Sequence, residues 1–301
     1  MGAVSFADVG KFMVANPFAR RRVAIAEEVL GYSLIDAYRD SGDDYSEAAQ
    51  VAFLVNCLAL ADWAEAELGI APELCAGPSF GGKAAAAYAG CLPFSDAVLM
   101  TARLAGCQDD YFAEHHTDIV THSFVRTPEE RLKELLAELD ERGDWYDLAC
   151  HVDDDFYMVT LAESGLDRFQ ERIRSLGGLS LYTMRPPLHS AAFADLRRRA
   201  EDEVLGKLPF ADPGLPVVSD HDGSLLTTGD QVRTLLLDGI TRPMRWPGVV
   251  DALRGQGITT VHVSGPDNLF GRVARTTDNF EVVRVNPRLA LQPRSRPHTG
   301  A

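Results

Sequence analysis

Apolar residues recur at helical spacing through residues 19 to 38 and again through 46 to 69, which predicts two helices. The second carries Val51, Phe53, Leu54, Val55, Leu58, Leu60 and Trp63 on most of its faces, so it is expected to lie buried beneath a sheet. The pattern then shortens. Leu74 to Ala76 reads as a strand, Lys83 to Ala89 as a helix, and Phe94 to Ala105 as a further helix with Asp96 in its first turn. From about residue 117 the rhythm changes: Ile119 to Val125 is strand-like, and Thr127-Pro128-Glu129-Glu130 opens a capped helix to about Arg142. Tyr146 to Val152 and Phe156 to Leu161 read as a hairpin around Asp153-Asp154-Asp155, followed by a helix near Leu166 to Leu176 and a strand from Ser180 to Met184. That order, βαββαβ, is the ferredoxin-like unit. Helix and strand runs then alternate again: Phe193 to Val204 helical, Leu215 to Ser219 a strand, Gly229 to Gly239 and Trp246 to Gly255 helical, and Thr259 to Val263 a strand. Residues after about 286 carry Pro and Arg with little periodicity and are expected to fray.

At the junction of the first strand and its helix stands Gly77-Pro78-Ser79-Phe80-Gly81. A strand entering Gly-x-Ser-x-Gly and an Ala-rich helix leaving it is the arrangement of a nucleophile elbow, with Ser79 exposed at the helix N-terminus. There the helix dipole and free N–H groups favour developing negative charge. A tight turn brings backbones together, so a Cβ at Gly77 or at Gly81 is expected to crowd it. The fold class that follows is α/β: an α/β-hydrolase-like large subdomain with a parallel sheet (residues 1–116 and 186–285), an inserted ferredoxin-like small subdomain (117–185), and a flexible tail (286–301).

Composition narrows the possibilities. The chain of 301 residues is 46% hydrophobic, enough for a substantial core. It has no long uncharged apolar run and no basic-then-apolar leader, which implies a cytoplasmic protein with no membrane partner. A net charge of −15 argues against nucleic acid as the main partner. The five cysteines are never spaced Cys-x-x-Cys, so buried thiols are expected rather than disulfides or a zinc site. Three regions depart from the acidic average: Arg20-Arg21-Arg22, Arg197-Arg198-Arg199, and the arginines from Arg272 through Arg275, Arg284, Arg288, Arg294 and Arg296. They are either solvated faces or docking patches for an acidic partner.

A serine hydroxyl is a weak nucleophile until a base takes its proton. Of the eight histidines, His189 in Pro187-Leu188-His189-Ser190 follows directly on the last strand of the inserted unit, a junction that turns side chains back towards a cleft. His115 and His116 are polar-flanked surface candidates, and His122, His151, His221 and His262 lie in or beside strands. Asp220, Asp222 and the Asp153 cluster are possible orienting groups, but no spacing singles one out. Ser219-Asp220-His221-Asp222-Gly223 reads as a turn closing a strand rather than a metal loop.

With these motifs in order, the chain resembles the malonyl-CoA:acyl-carrier-protein transacylases and the acyltransferases of polyketide synthases. The likeness runs from about residue 11 to 285. Ala49-Gln50-Val51-Ala52 resembles the family's Thr-Gln-Pro-Ala helix start, Gly77 to Gly81 its Gly-His-Ser-Leu-Gly elbow, and Pro187-Leu188-His189-Ser190 its Pro-Ser-His segment. Val217-Val218-Ser219, Thr241-Arg242-Pro243-Met244-Arg245-Trp246 and Val263-Ser264-Gly265-Pro266 resemble Val-Val-Asn, the motif ending Pro-Val-Gln/Arg-Trp, and the Val-Gly-Pro turn. The resemblance implies acyl transfer through Ser79 and His189, with an acyl-serine intermediate and no bound cofactor. The phosphopantetheine arm of an acyl carrier protein is then a substrate. It further implies that the N–H of Phe80 serves the oxyanion hole and that a backbone carbonyl near Gly239 orients His189. Leu104, Leu188 and Met184 would shape the acyl pocket, and Arg126 and Arg272 would meet the carrier protein or its phosphopantetheine phosphate.

Three departures bear on function. The family arginine that pairs with the malonyl carboxylate falls 25 residues after the nucleophile, at Leu104. Arg103 is adjacent, but one helical step turns a side chain by about 100°. Arg185-Pro186-Pro187-Leu188 matches neither the malonyl-selecting nor the methylmalonyl-selecting motif. Family members also begin with a buried strand and a Phe-Pro-Gly-Gln-Gly loop, for which Met1-Gly2-Ala3-Val4-Ser5 arrives too late. That leaves open a start downstream of the strand or a non-catalytic relative. The chain is most similar in kind to discrete acyltransferases that move aminoacyl or dipeptidyl starters between carrier proteins. The alternatives are a malonyl transacylase, an editing hydrolase and a docking protein without turnover.

Overall fold

Residues 6–40 fold as a helical layer whose breaks are set by single residues. In the computed structural model, which describes residues 4–42, 45–267 and 269–292, α1 (Phe6–Ala15) stops at Asn16. The Asn16 side chain accepts the N–H groups of Phe18 and Ala19 and so caps α2 (Pro17–Leu30). The single helix expected over 19 to 38 is two helices. Gly31 adopts a left-handed φ of 75°, and Ser33 restarts the chain as the cap of α3 (Leu34–Asp40). As expected, α4 (Glu47–Leu68) is buried on most faces; Val51, Leu54, Val55 and Leu58 pack against Val98 and Ala102 of α6 (Phe94–His115).

Strand β1 (Cys75–Ala76) feeds α5 (Gly81–Tyr88). The small subdomain follows: β2 (Ile119–Val125), α7 (Glu129–Arg142), β3 (Tyr146–Asp153), β4 (Phe156–Ala162), α8 (Leu166–Ser175) and β5 (Leu179–Met184). Its sheet order β5-β2-β4-β3 is ferredoxin-like, with β2 antiparallel to both neighbours. Leu132, Leu135 and Leu139 of α7 and Phe169 and Ile173 of α8 bury one face against Phe124, Tyr157 and Val159.

After α9 (Ala194–Glu203) the chain returns to the large subdomain. Strand β6 (Val217–Val218) pairs parallel with β1, Cys75 opposite Val217, and β7 (Leu225–Leu226) pairs antiparallel with β6. Following α10 (Gly229–Thr241), the short β8 (Met244–Arg245) adds to the small sheet beside β3, which ties the two subdomains together. The chain then runs through α11 (Trp246–Gly255), β9 (Thr260–Ser264), α12 (Ala274–Thr277), β10 (Glu281–Val285) and α13 (Pro287–Ala290). Strands β9 and β10 pair parallel as a separate two-stranded sheet. The expected single parallel sheet is therefore in two pieces. The outer edges of β1 and β9 both line a cavity of about 600 Å³, together with Phe53, Trp246 and Phe270.

Residues 286–292 are not frayed. Asn286 caps α13, and Ala290 packs with Phe12 and Trp63 while its carbonyl accepts the Asn16 side chain. The rest of the expected tail, with Arg294 and Arg296, lies outside the described residues. Among the described residues no helix is long and apolar enough to cross a membrane, and all five cysteines are free thiols, four of them buried. Two of the arginine clusters are engaged within the chain. Arg22 forks onto Asp62, Arg197 bonds Asp238 and Glu201, and Arg199 bonds Asp110 and Glu203. Their charge is thus partly spent on neighbours rather than held for a partner.

Candidate active site

The elbow is built from backbone constraints. Ser79 sits at φ 53°, a left-handed conformation that costs a non-glycine residue free energy, and the turn is closed by Gly81 N–H on the Pro78 carbonyl and Gly82 N–H on the Ser79 carbonyl. A Cβ on Gly77 would stand 2.1 Å from the Gly81 carbonyl oxygen, so that position requires glycine. Gly81 does not behave as expected. Its nearest neighbour would be Pro78 Cδ at 3.6 Å, an ordinary contact.

His189, buried and itself at φ 62°, places Nε2 2.8 Å from Ser79 Oγ. Its Nδ1 is 3.1 Å from the carbonyl oxygen of Arg242, not of Gly239. A carbonyl only accepts, so Nδ1 carries the proton and Nε2 is left free to accept from the serine hydroxyl. The identity of the carbonyl follows from Pro243. The residue before proline is driven out of helical conformation, and Arg242 accordingly ends α10 at φ −106°, ψ 146°, with its carbonyl turned off the helix axis. Gly239 instead lines the cavity beside the histidine. Burial lowers the His189 pKa to about 4, more than the Asp220 charge and the Arg242 carbonyl raise it, so the imidazole is neutral at pH 7. The following residue is pinned from both subdomains: Ser190 N–H donates to the Ile240 carbonyl, and its hydroxyl donates to Asp147 of β3.

Asp220 is the acidic residue that matters here. Its buried carboxylate accepts the N–H of Ser79 at 2.7 Å. Strand register brings it there, because Ala76 lies opposite Val218 and the two chains leave the sheet together. Asp153 does something else: it accepts the N–H groups of Ala274 and Arg275 and caps α12. The loop from Ser219 to Gly223 is the expected turn, closed by Gly223 N–H on the Ser219 carbonyl. Among the described residues no cluster of His, Cys, Asp and Glu could hold a metal ion.

Ser79 and His189 open into a cavity of about 50 Å³ between α5, α6 and α10, lined also by Leu104, Leu188, Leu235 and Ile240. Leu104 is buried whereas Arg103 is exposed, as the helical step requires. Met184 is not in this lining; it packs with Tyr45 and Phe80. Arg126, exposed at φ 59°, and Arg272, whose guanidinium donates to the Asp267 carbonyl, also lie outside it. Two polar side chains that sequence reading passed over do line it: Gln108, and Lys83 of α5. Lys83 Nζ donates to Gln50 Oε1 at 2.9 Å and stands 5.0 Å from the centre of the Phe80 ring. Burial lowers its pKa to about 8.

The family model described as VinK acyltransferase small domain matches residues 123–184. The chain is 28% identical over 261 residues to polyketide biosynthesis protein ThaF of Burkholderia thailandensis, covering 82% of this chain and 21% of that one. It is 23% identical to the malonyl CoA-acyl carrier protein transacylase of Bacillus subtilis, over 79% and 75% of the two chains. The chain is a homologue of the malonyl CoA-acyl carrier protein transacylases. Among solved structures, the holo PlMCAT:AntF complex, a type II PKS acyl-carrier protein with its malonyl-transacylase, aligns with TM-score 0.84 at 21% identity over 96% and 94% of the chains. The Coxiella burnetii transacylase aligns at 0.81 with 22% identity over 97% and 93%. These solved transacylases share the fold described above. The chain spans about a fifth of the length of ThaF.

Proposed function

We propose that this chain is an acyltransferase that moves an acyl group onto or between acyl carrier proteins, in polyketide or related secondary metabolism, through an acyl-serine. Support comes first from one observation: the line Ser79 Oγ, His189 Nε2, His189 Nδ1, Arg242 carbonyl, in which the proton on Nδ1 fixes the tautomer that a base needs. His189 takes the hydroxyl proton as Ser79 Oγ attacks the thioester carbonyl carbon. The oxyanion forms at the mouth of α5, where the Phe80 N–H is the donor we assign, and collapse breaks the C–S bond with His189 returning the proton to sulfur. An acceptor phosphopantetheine thiol then repeats the sequence in reverse. The partner carrier protein is also suggested by the transacylase relatives. No step requires a bound cofactor, and the phosphopantetheine arm enters as substrate. Arg126 and Arg272 are the residues proposed to meet it.

The acyl group is proposed to be other than malonyl, of the aminoacyl or dipeptidyl kind. Leu104 fills the place expected for a carboxylate-binding arginine, and Arg103 turns to solvent. Intact-protein mass spectrometry after mixing the chain with malonyl-CoA and with an aminoacyl- or dipeptidyl-loaded carrier protein tests both parts. A mass increase from the loaded carrier that is lost in Ser79→Ala is expected. An adduct from malonyl-CoA would overturn the specificity, and no adduct from either would overturn the activity.

A further inference from the structure

Lys83 is in an unfavourable place for a structural lysine. It sits in the first turn of α5, where the helix dipole opposes a cation, and it is partly buried. Among the described residues its partners are the neutral Gln50 amide oxygen and the Phe80 ring, with no carboxylate in ion-pair range. An ammonium has three donors, and one is used. The Gln50 amide is itself fixed by its Nε2 donating to the Tyr45 carbonyl, so Lys83 Nζ is held rather than free to swing to solvent. The cavity it shares with Ser79 and His189 has apolar walls from Leu104, Leu188, Leu235 and Ile240, with Gln108 and with Asp220, whose carboxylate is taken up by the Ser79 N–H.

We infer that Lys83 is a specificity-determining residue of the acyl pocket, whose unused N–H donors take an oxygen acceptor on the acyl group, a carboxylate or a peptide carbonyl. This rests on the acyl-serine reading above. It also sharpens it: a free ammonium on the acyl group would meet Lys83 as a like charge, so an acylated amine, as in a dipeptidyl group, suits the pocket better than an aminoacyl group with its amine pointing inward. A carboxylate held by Lys83 would approach from α5, not from the α6 position that Leu104 occupies.

The test compares three N-acetylcysteamine thioesters of similar length, butyryl, succinyl and N-acetylglycyl, by the rate of acyl-serine formation on the full chain. The wild type is expected to favour one or both acceptor-bearing groups over butyryl by about tenfold or more, the range of one charge-assisted hydrogen bond. A rise for succinyl alone identifies a carboxylate, and for N-acetylglycyl alone a peptide carbonyl. Lys83→Met should bring the ratio near one, and Lys83→Gln, which keeps a donor without charge, should retain part of any N-acetylglycyl preference but not a succinyl preference. Should Lys83→Met fail to fold by circular dichroism, Lys83→Gln carries the comparison. A wild type indifferent to the acceptor, or variants that slow all three thioesters equally, would overturn the assignment and leave Lys83 as a support for Gln50. If no thioester acylates the wild type, the acyltransferase reading falls and takes the assignment with it.

Discussion

The carboxylate of Asp220 accepts the backbone N–H of Ser79 at 2.7 Å, in a buried position one residue from His221. The bond ties the left-handed Ser79 to the turn that follows β6. A charged acceptor in this role is worth more than a neutral one, so the elbow geometry leans on it.

Asp220→Ala should therefore loosen the elbow by leaving the Ser79 N–H unpaired. The expected cost is about 1–3 kcal/mol of stability, with a fall in acyl-serine formation larger than the fall in folded fraction. Asp220→Asn keeps an acceptor oxygen and should recover most of the stability. The thermal midpoint and single-turnover acylation measured on both variants separate the two effects. Equal losses in both would mean that the charge, not the hydrogen bond, is what matters.

The acid limb of the acylation rate should inflect near pH 4, about the value to which burial lowers His189, instead of near the ordinary histidine value. Burial lowers the His189 pKa to about 4, so the imidazole stays neutral well below pH 6, as the proposed role of base requires. A pH profile of acyl-serine formation checks this, and an inflection at 6.5 would show that solvent reaches the imidazole.

Folding stability should fall over the same acid range. His122 is buried in the small sheet, with Nδ1 on the Thr183 hydroxyl and Nε2 unpartnered, and its pKa is lowered to about 4 by burial. A histidine whose folded pKa lies below its unfolded value of about 6.5 binds its proton more tightly in the unfolded chain. Stability is thus retained above pH 6.5 and lost as pH falls towards 4, by a few kcal/mol for a fully buried group. Denaturant titrations at pH 7, 5.5 and 4.5 should show a shallower decline in His122→Leu than in the wild type.

The small subdomain was legible because its strands run six to eight residues and its helices carry apolar residues at helical spacing. Strands of two residues leave no period, which is why the addition of Met244–Arg245 to the small sheet and the division of the large sheet were not. Strand Glu281–Val285 is absent from the predicted elements because Glu281 and Arg284 interrupt its short apolar run. Ser79 and His189 stood out as motif residues. Asp220 did not, because its role depends on the register of two strands distant in sequence. The histidine's carbonyl was placed three residues early, at Gly239, because the deciding feature is how Pro243 ends α10. Lys83 passed as an ordinary helix former, since only the packing of α5 against Gln50 and Phe80 makes it unusual.

The two glycines of the elbow should respond in opposite ways to the same substitution. Gly77→Ala would drive its methyl to 2.1 Å from the Gly81 carbonyl oxygen and 2.8 Å from Ala85 Cβ, both on the rigid first turns of α5, so the turn cannot relax by moving a flexible side chain. The expected result is loss of about 3 kcal/mol or more, or failure to fold. Gly81→Ala meets only Pro78 Cδ at 3.6 Å, at the first residue of a helix and outside the left-handed region. Alanine restricts the unfolded chain without straining the folded one, so a gain of about 0.4–1 kcal/mol is expected. Chemical denaturation of the two variants settles the comparison. A destabilised Gly81→Ala would mean that the elbow tightens beyond the contact described here, whereas a stable Gly77→Ala would mean that the turn opens far enough to disturb the 2.8 Å approach of Ser79 to His189.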